Sequence, residues 1–311
     1  MGGSGGGSST FYSKSPSDLG KQIRDAELEA SEKSVSPKLS ERLNGLLARV
    51  NDRDQAKTGD RLEAVKKVLS DQLEESFDLR FGGSVAKHTY VDGLSDVDTL
   101  LVMRTEAELA PKPDDVLDAL VAVLSKKLPP DVKVSRGSIA ITLTYKDQEE
   151  IQLVPAVRDG SDLHVPEWKT NAWSAINPEK FRDGLVKRNN KCGMKLIPTI
   201  KLAKVVNSNL PEAMQLSGYH IESMAISAFK RYSGPYVIEK MLPHFFKSMA
   251  ELVRSPMRDS TGQSVHVDEY LGRSNSEQRR QLSHVLDRIS RRMENATAAA
   301  SMEQWNSILG E

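Results

Sequence analysis

Two aspartates, Asp96 and Asp98, stand one residue apart in the run SDVDTLLVM, residues 95–103. On a strand that spacing puts both carboxylates on one face, while Val97 and Thr99 to Val102 build the interior. Two like charges that close repel each other unless a cation lies between them. Mg²⁺ or Mn²⁺ supplies that cation, and two such ions clamp the attacking and leaving oxygens of phosphoryl transfer. Twelve residues before Asp96, the turn Gly82-Gly83-Ser84 offers what a phosphate needs: backbone amides that approach closely and a hydroxyl donor. Apart, a GGS turn and a DxD pair are weak signals, and a DxD is commonly a solvated edge strand. Together, across a strand-loop-strand pattern, they predict a metal platform beside a phosphate cradle.

The elements that must position these residues follow from periodicity. SPKLSERLNGLLARVNDRD (36–54) predicts a helix with Ser36 or Ser40 as cap and Leu39, Leu43, Leu46, Leu47 and Val50 on one face. GDRLEAVKKVLSDQLEESF (59–77) continues as a second amphipathic helix. Short β-branched runs then take over, DLRFGG, VDTLLVM, DVKVSR, SIAITLTY and EEIQLVPAV, with the helix PDDVLDALVAVLSKKL after the second run. This order predicts a small mixed sheet with helices on one side. After Asn177 the signal is helical to the end, in segments starting at Pro178, Leu196, Tyr219, Pro235 and Ser276. The fold class is α+β: a tail over 1–35, a catalytic lobe over 36–172 and an all-helical lobe over 173–311, with the active site in the cleft between them.

Composition narrows the partners. The chain has 311 residues, 38% apolar and 28% charged, enough to bury a sizeable core. Lys and Arg number 43 against 43 Asp and Glu, so no global field draws it to nucleic acid or to a membrane. A polyanion site must be local, and Lys180 to Lys204 provides one, with eight basic residues against the single acid Asp183. The 187–195 part reads as a solvated face. Lys201 and Lys204 differ, because they sit one turn apart among Ile200, Leu202, Ala203 and Val205, where a buried lysine needs an anion. The single cysteine, Cys192, excludes an internal disulfide framework and a multi-cysteine zinc site. The lack of a long apolar run or an apolar leader predicts a cytoplasmic protein.

The stretch GGSVAKHTYVDGLSDVDTLLV resembles the G-S, K-x-T, S-D-x-D signature of the DNA polymerase β nucleotidyltransferase superfamily. It is most similar to the bacterial relatives of cGAS (CD-NTases) and of oligoadenylate synthase. The resemblance runs over about residues 40 to 311, through EEIQLVPAV, Trp173 to Pro178, IKLAK, SGYHIES, DEYLG and WNSILG. It implies a polymerase-β-like lobe and template-independent nucleotidyl transfer. A triphosphate lies on Gly83, Ser84, Lys87 and Lys204, reinforced by Lys201, with two Mg²⁺ (or Mn²⁺) ions on Asp96 and Asp98. Ser217 is the nearest further hydroxyl, although Gly218 takes the slot where relatives keep theirs. Tyr219 corresponds to the base-stacking aromatic, against the plain alternative of a helix-entry core tyrosine. The implied role is synthesis of a cyclic di- or trinucleotide, or an oligomer, in anti-phage defence, read by a separate effector.

One position departs from the family. Where relatives carry a third carboxylate this chain has Gln152, which offers a carbonyl oxygen but no charge and cannot act as a base. Alternation places Glu150 on the same face and Glu149 and Ile151 on the other. Glu150 is then a substitute third metal ligand helped by Gln152, or an exposed strand-end residue beside a two-acid site. Two other products or roles stay open: a linear oligomer of the Hailong type, primed by a tail hydroxyl among Ser8, Ser9, Thr10, Tyr12 and Ser13, and a catalytically weak nucleotide-binding regulatory subunit. Activation by long double-stranded DNA is disfavoured by the zero net charge and the absence of zinc ligands.

Overall fold

The structure is a computed structural model that describes residues 37–50, 55–72, 77–81, 97–106, 109–160, 162–167, 170–258, 261 and 268–311. The 1–35 tail, Gly83, Ser84, Lys87 and Asp96 lie outside these residues, as does the side chain of Asp98.

Helices α1 (Pro37–Val50) and α2 (Gln55–Gln72) lead into strand β1 (Phe77–Phe81). β1 pairs antiparallel with β2 (Val97–Glu106), and after α3 (Pro113–Lys127) the chain forms β3 (Lys133–Arg136), β4 (Ile141–Thr144) and β5 (Glu150–Asp159). β5 inserts parallel to β2 and antiparallel to β4, giving the order β1-β2-β5-β4-β3. The sheet is mixed, as the order of sequence signals requires.

Period-two burial decides which face points where. Ile141 and Leu143 of β4 and Ile151 and Leu153 of β5 are buried, as are Leu101 and Met103 of β2. They form one core with Leu62, Val65 and Leu69 of α2 and Val116, Leu117, Leu120 and Leu124 of α3. Each such side chain contributes roughly 1.5–3 kcal/mol on burial. α3 has Pro113 at its first position, Asp114 and Asp115 in its first turn and Lys126 and Lys127 in its last, which complements the helix dipole. α2 is also tied to the β4–β5 turn by ion pairs: Arg61 to Asp147 and Glu149, and Lys57 to Asp147. The Arg61 guanidinium lies 3.9 Å over the Tyr145 ring. Lys57 first and Arg61 next hold the Asp147 carboxyl far below the usual carboxylate range.

Two strands were not legible in the sequence. β6 (Asp162–Glu167) pairs with the end of β5, and β7 (Ala172–Ile176) pairs with β6. Trp173, read as part of an interlobe segment, lies in β7 and its indole N–H donates to the Pro111 carbonyl at 3.0 Å.

The helical lobe contains α4 (Pro178–Lys191), α5 (Leu196–Ser208), α6 (Gly218–Ala228), α7 (Ile238–Leu252), α8 (Glu277–Ala298) and α9 (Met302–Leu309). Asn177, Ser217, Ser276 and Ser301 cap α4, α6, α8 and α9 by accepting from an amide three residues on. The terminal segment, which reads as one pattern from 276 to 309, divides at Ala300, whose φ of 47° is left-handed. Leu39, Leu43, Leu46 and Leu47 of α1 join this lobe's core with Phe245, Phe246, Met249 and Trp305, although α1 precedes the sheet in the chain. Among the described residues no helix is long and apolar enough to cross a membrane.

A fully buried Arg279 on α8 holds the loop before that helix. Its guanidinium donates to Asp268 Oδ2 at 2.6 Å and to the carbonyls of Val253, Ser255, Asp268 and Gly272. Removing one member of a buried pair leaves an uncompensated charge, at a cost of about 3–5 kcal/mol. Arg279→Ala is therefore expected to lose about that much stability in urea denaturation, and a loss under about 1 kcal/mol would show that the pair is not what fixes this loop.

Candidate active site

The face of the sheet opposite α2 and α3 carries the polar residues. Asp98 on β2 is the register partner of Gln152 on β5, and Gln152 that of Thr142 on β4. Glu150 lies one pleat before Gln152, opposite Thr144, whose hydroxyl donates to Glu150 Oε1 at 2.9 Å. Thr142, Thr144, Glu150 and Gln152 are half-buried where the intervening residues are buried. Glu149 goes the other way: it accepts from the Thr58 hydroxyl at 2.6 Å and pairs with Arg61 of α2. The alternation argument that separates Glu149 from Glu150 thus matches where the two side chains point. Among the described residues no three His, Cys, Asp or Glu side chains are gathered as a metal site. The donors this face offers, a Glu150 carboxylate and a Gln152 amide oxygen, are hard oxygens of the kind Mg²⁺ and Mn²⁺ take.

The second group lies on α5 and α6. Lys204 is 6% exposed, and its ammonium donates to Glu222 Oε1 at 2.9 Å, with Glu222 1% exposed. A buried lysine needs an anion, and the protein supplies Glu222, a residue the sequence reading passed over. Its signal was present: one acid within IESMA, a run with no other polar charge on a helix whose residues 220–225 are all buried. Half-buried Lys201 sits one turn earlier, and burial, with the Lys204 charge beside it, pulls its pKa down.

Gly218 explains how Lys204 reaches its position. A Cβ on Gly218 would stand 3.3 Å from Lys204 Nζ, so a side chain there would press on the ammonium. Ser217, exposed, is the cap of α6: its Oγ accepts from the His220 amide at 3.2 Å, and its side chain is also hydrogen-bonded to Tyr270. Tyr219 is half-buried and its ring is 4.8 Å from that of Phe181, tilted by 43°. The structure thus brings Lys204, Ser217 and Tyr219 to one end of α6, with Lys201 one turn before Lys204 on α5, and Glu150 and Gln152 to one sheet face, with the backbone of Asp98 in register beside Gln152.

The model of the Second Messenger Oligonucleotide or Dinucleotide Synthetase domain matches residues 34–189. This chain belongs to that family. It is a nucleotidyltransferase. Its fold is similar to solved CD-NTases. One is Bradyrhizobium diazoefficiens CdnG in complex with GTP, 15% identical, TM-score 0.65, over 82% of this chain and 88% of that one. Another is E. coli MS115-1 CdnC with ATP, 16% identical, TM-score 0.61, over 83% and 91%. A third is Vibrio cholerae DncV, a cyclic AMP-GMP synthase and prokaryotic cGAS homolog, 9% identical, TM-score 0.60, over 95% and 91%. No curated protein sequence matches the chain.

In this synthetase-family chain the first turn of α6 is also held by groups outside the expected set. His220 is fully buried, its Nδ1 is 3.1 Å from the Tyr270 hydroxyl and its Nε2 is 3.6 Å from Asp268 Oδ2. Burial, partly countered by the Asp268 charge, lowers the His220 pKa to about 4 from 6.5. The ring is neutral at pH 7, so the Asp268 contact is between charge and dipole. Below about pH 6.5 the unfolded chain binds a proton here that the folded chain refuses until about pH 4, so stability falls with pH through that window. His220→Gln removes this pH dependence. The stability advantage of the wild type over that variant is expected to shrink by about 2 kcal/mol between about pH 7 and pH 5; a pH-independent difference would contradict a neutral buried ring.

Proposed function

We propose that this nucleotidyltransferase condenses nucleoside triphosphates into a nucleotide second messenger, a cyclic di- or trinucleotide or a short oligonucleotide, with two Mg²⁺ (or Mn²⁺) ions. The observation that carries the reading is the polar sheet face: Asp98 in register with Gln152, and Glu150 beside them, inside the family-matched region. Solved relatives that hold GTP and ATP support nucleoside triphosphates as substrates. When bound, the ions would neutralise charge on the acceptor hydroxyl and on the departing pyrophosphate.

Each group of residues then has a task. Asp96, Asp98 and Glu150 hold the metal ions, with the Gln152 carbonyl as a neutral fourth donor. Lys204, whose ammonium also pairs with Glu222, is the lysine assigned to the triphosphate, reinforced by Lys201, with Gly83, Ser84 and Lys87 as its further contacts. Ser217 adds a hydroxyl donor, and Tyr219 offers its ring to the base. The acceptor hydroxyl oxygen bonds to the α-phosphorus, the bond to pyrophosphate breaks, and the hydroxyl proton is released. Catalysis is mostly positioning and charge stabilisation. The product would act in the cytoplasm in anti-phage defence, through a separate effector protein that reads it.

A second reading, nucleotide binding without turnover, draws on Gln152, because an amide stands beside Asp98 where a carboxylate is expected. Incubation with each labelled NTP and dNTP plus Mg²⁺ or Mn²⁺, followed by chromatography, separates the two. The wild type is expected to form product, Asp96→Asn and Asp98→Asn to lose at least about a hundredfold, and Glu150→Gln about tenfold. An inactive wild type supports the binding-only reading, and full activity in Glu150→Gln rejects Glu150 as a ligand.

A further inference from the structure

The first turn of α6 carries three features of the nucleotide site proposed above: the Ser217 hydroxyl, the gap at Gly218 that admits Lys204, and the Tyr219 ring. What fixes that turn is a ring of hydrogen bonds closed by a residue from a distant part of the chain. The Ser217 amide donates to the Tyr270 hydroxyl oxygen at 3.2 Å. That hydroxyl lies 3.1 Å from His220 Nδ1, and the His220 amide donates back to Ser217 Oγ at 3.2 Å.

The proton positions follow from what lies behind the histidine. Nε2 lies 3.6 Å from Asp268 Oδ2, beyond hydrogen-bonding distance and with no other hydrogen-bond partner among the described residues. The carboxylate charge beside it favours the proton of the neutral ring on Nε2, which leaves Nδ1 as the acceptor. Tyr270 therefore donates to His220 Nδ1 while accepting from Ser217. Asp268 in turn cannot shift: Oδ2 takes the Arg279 guanidinium at 2.6 Å and Oδ1 takes the Met257 amide at 3.0 Å. A rigid buried ion pair thus reaches the first turn of α6 through one imidazole and one phenol. Tyr270 as a residue is 42% exposed, so its hydroxyl is engaged without the residue belonging to the core.

We propose that Tyr270 is a positioning residue for nucleotide binding: with His220 behind it, its hydroxyl sets the first turn of α6 so that Tyr219 and Lys204 meet the substrate. This rests on Tyr219 being part of the nucleotide site. Tyr270→Phe removes one hydrogen-bonding oxygen and keeps the ring. It is expected to raise KM for NTP about fivefold, more than it lowers kcat, with the melting temperature within about 2 °C of wild type. A merely structural tyrosine would instead lower the melting temperature or the active fraction and leave KM in place. Tyr219→Ala is measured alongside as the reference. If Tyr219→Ala raises KM and Tyr270→Phe leaves it within twofold of wild type, the positioning role is overturned. If Tyr219→Ala leaves KM unchanged, the nucleotide-site reading of α6 fails, whatever Tyr270→Phe does.

Discussion

The structure depends on a simple constraint: a charge taken out of water must find its partner in the protein. Two pairs meet it in the helical lobe, Arg279 with Asp268 and Lys204 with Glu222. Such pairs add little net stability over apolar packing, but removing one partner is expensive, so they fix geometry. Arg279 gives direction to the loop at Asp268, that loop gives Tyr270 and Asp268 to His220, and His220 sits in the turn from which Tyr219 projects. Glu222, one turn further along α6, sets the position of Lys204. The cationic and aromatic part of the candidate site therefore hangs on buried charge, whereas the carboxylate part hangs on strand alternation.

Those two origins explain what the sequence could show. Alternation is local, so the separation of Glu149 from Glu150 and the common face of Glu150 and Gln152 could be read directly, and the structure places Glu149 against Arg61 on α2. The buried character of α5 was legible in the same way, from apolar residues around Lys201 and Lys204. Pairings across the chain were not. Glu222 is 18 residues from Lys204, and Asp268 is 11 residues from Arg279, with no periodic relation to connect them. Arg279 stands in a charged run, EQRRQ, where one arginine points inward and the next lies exposed.

The strands β6 and β7 were missed for a related reason. Their residues are mostly half-buried, so DLHVPE and AWSAI show no clean alternation of apolar and polar positions. The break at Ala300 runs against local propensity, since TAAAS contains the best helix former three times; the Ser301 cap and the packing of Trp305 into the core outweigh it. Matches at 9–16% identity that keep the fold show that it does not depend on most residue identities. Gln152 stands where the sequence resemblance leads one to expect a third carboxylate, and its register beside Asp98 makes the charge of this face depend on Glu150.

The central claim is that the carboxylate face and the Lys204–Tyr219 end of α6 act on one metal-bound triphosphate. Calorimetric titration with a non-hydrolysable NTP analogue, with Mg²⁺ and again with EDTA, tests it most directly. The account predicts binding at least about tenfold tighter with Mg²⁺, a difference that Asp98→Asn abolishes. Equal affinity with and without Mg²⁺ in the wild type, or a metal effect that survives Asp98→Asn, would contradict it.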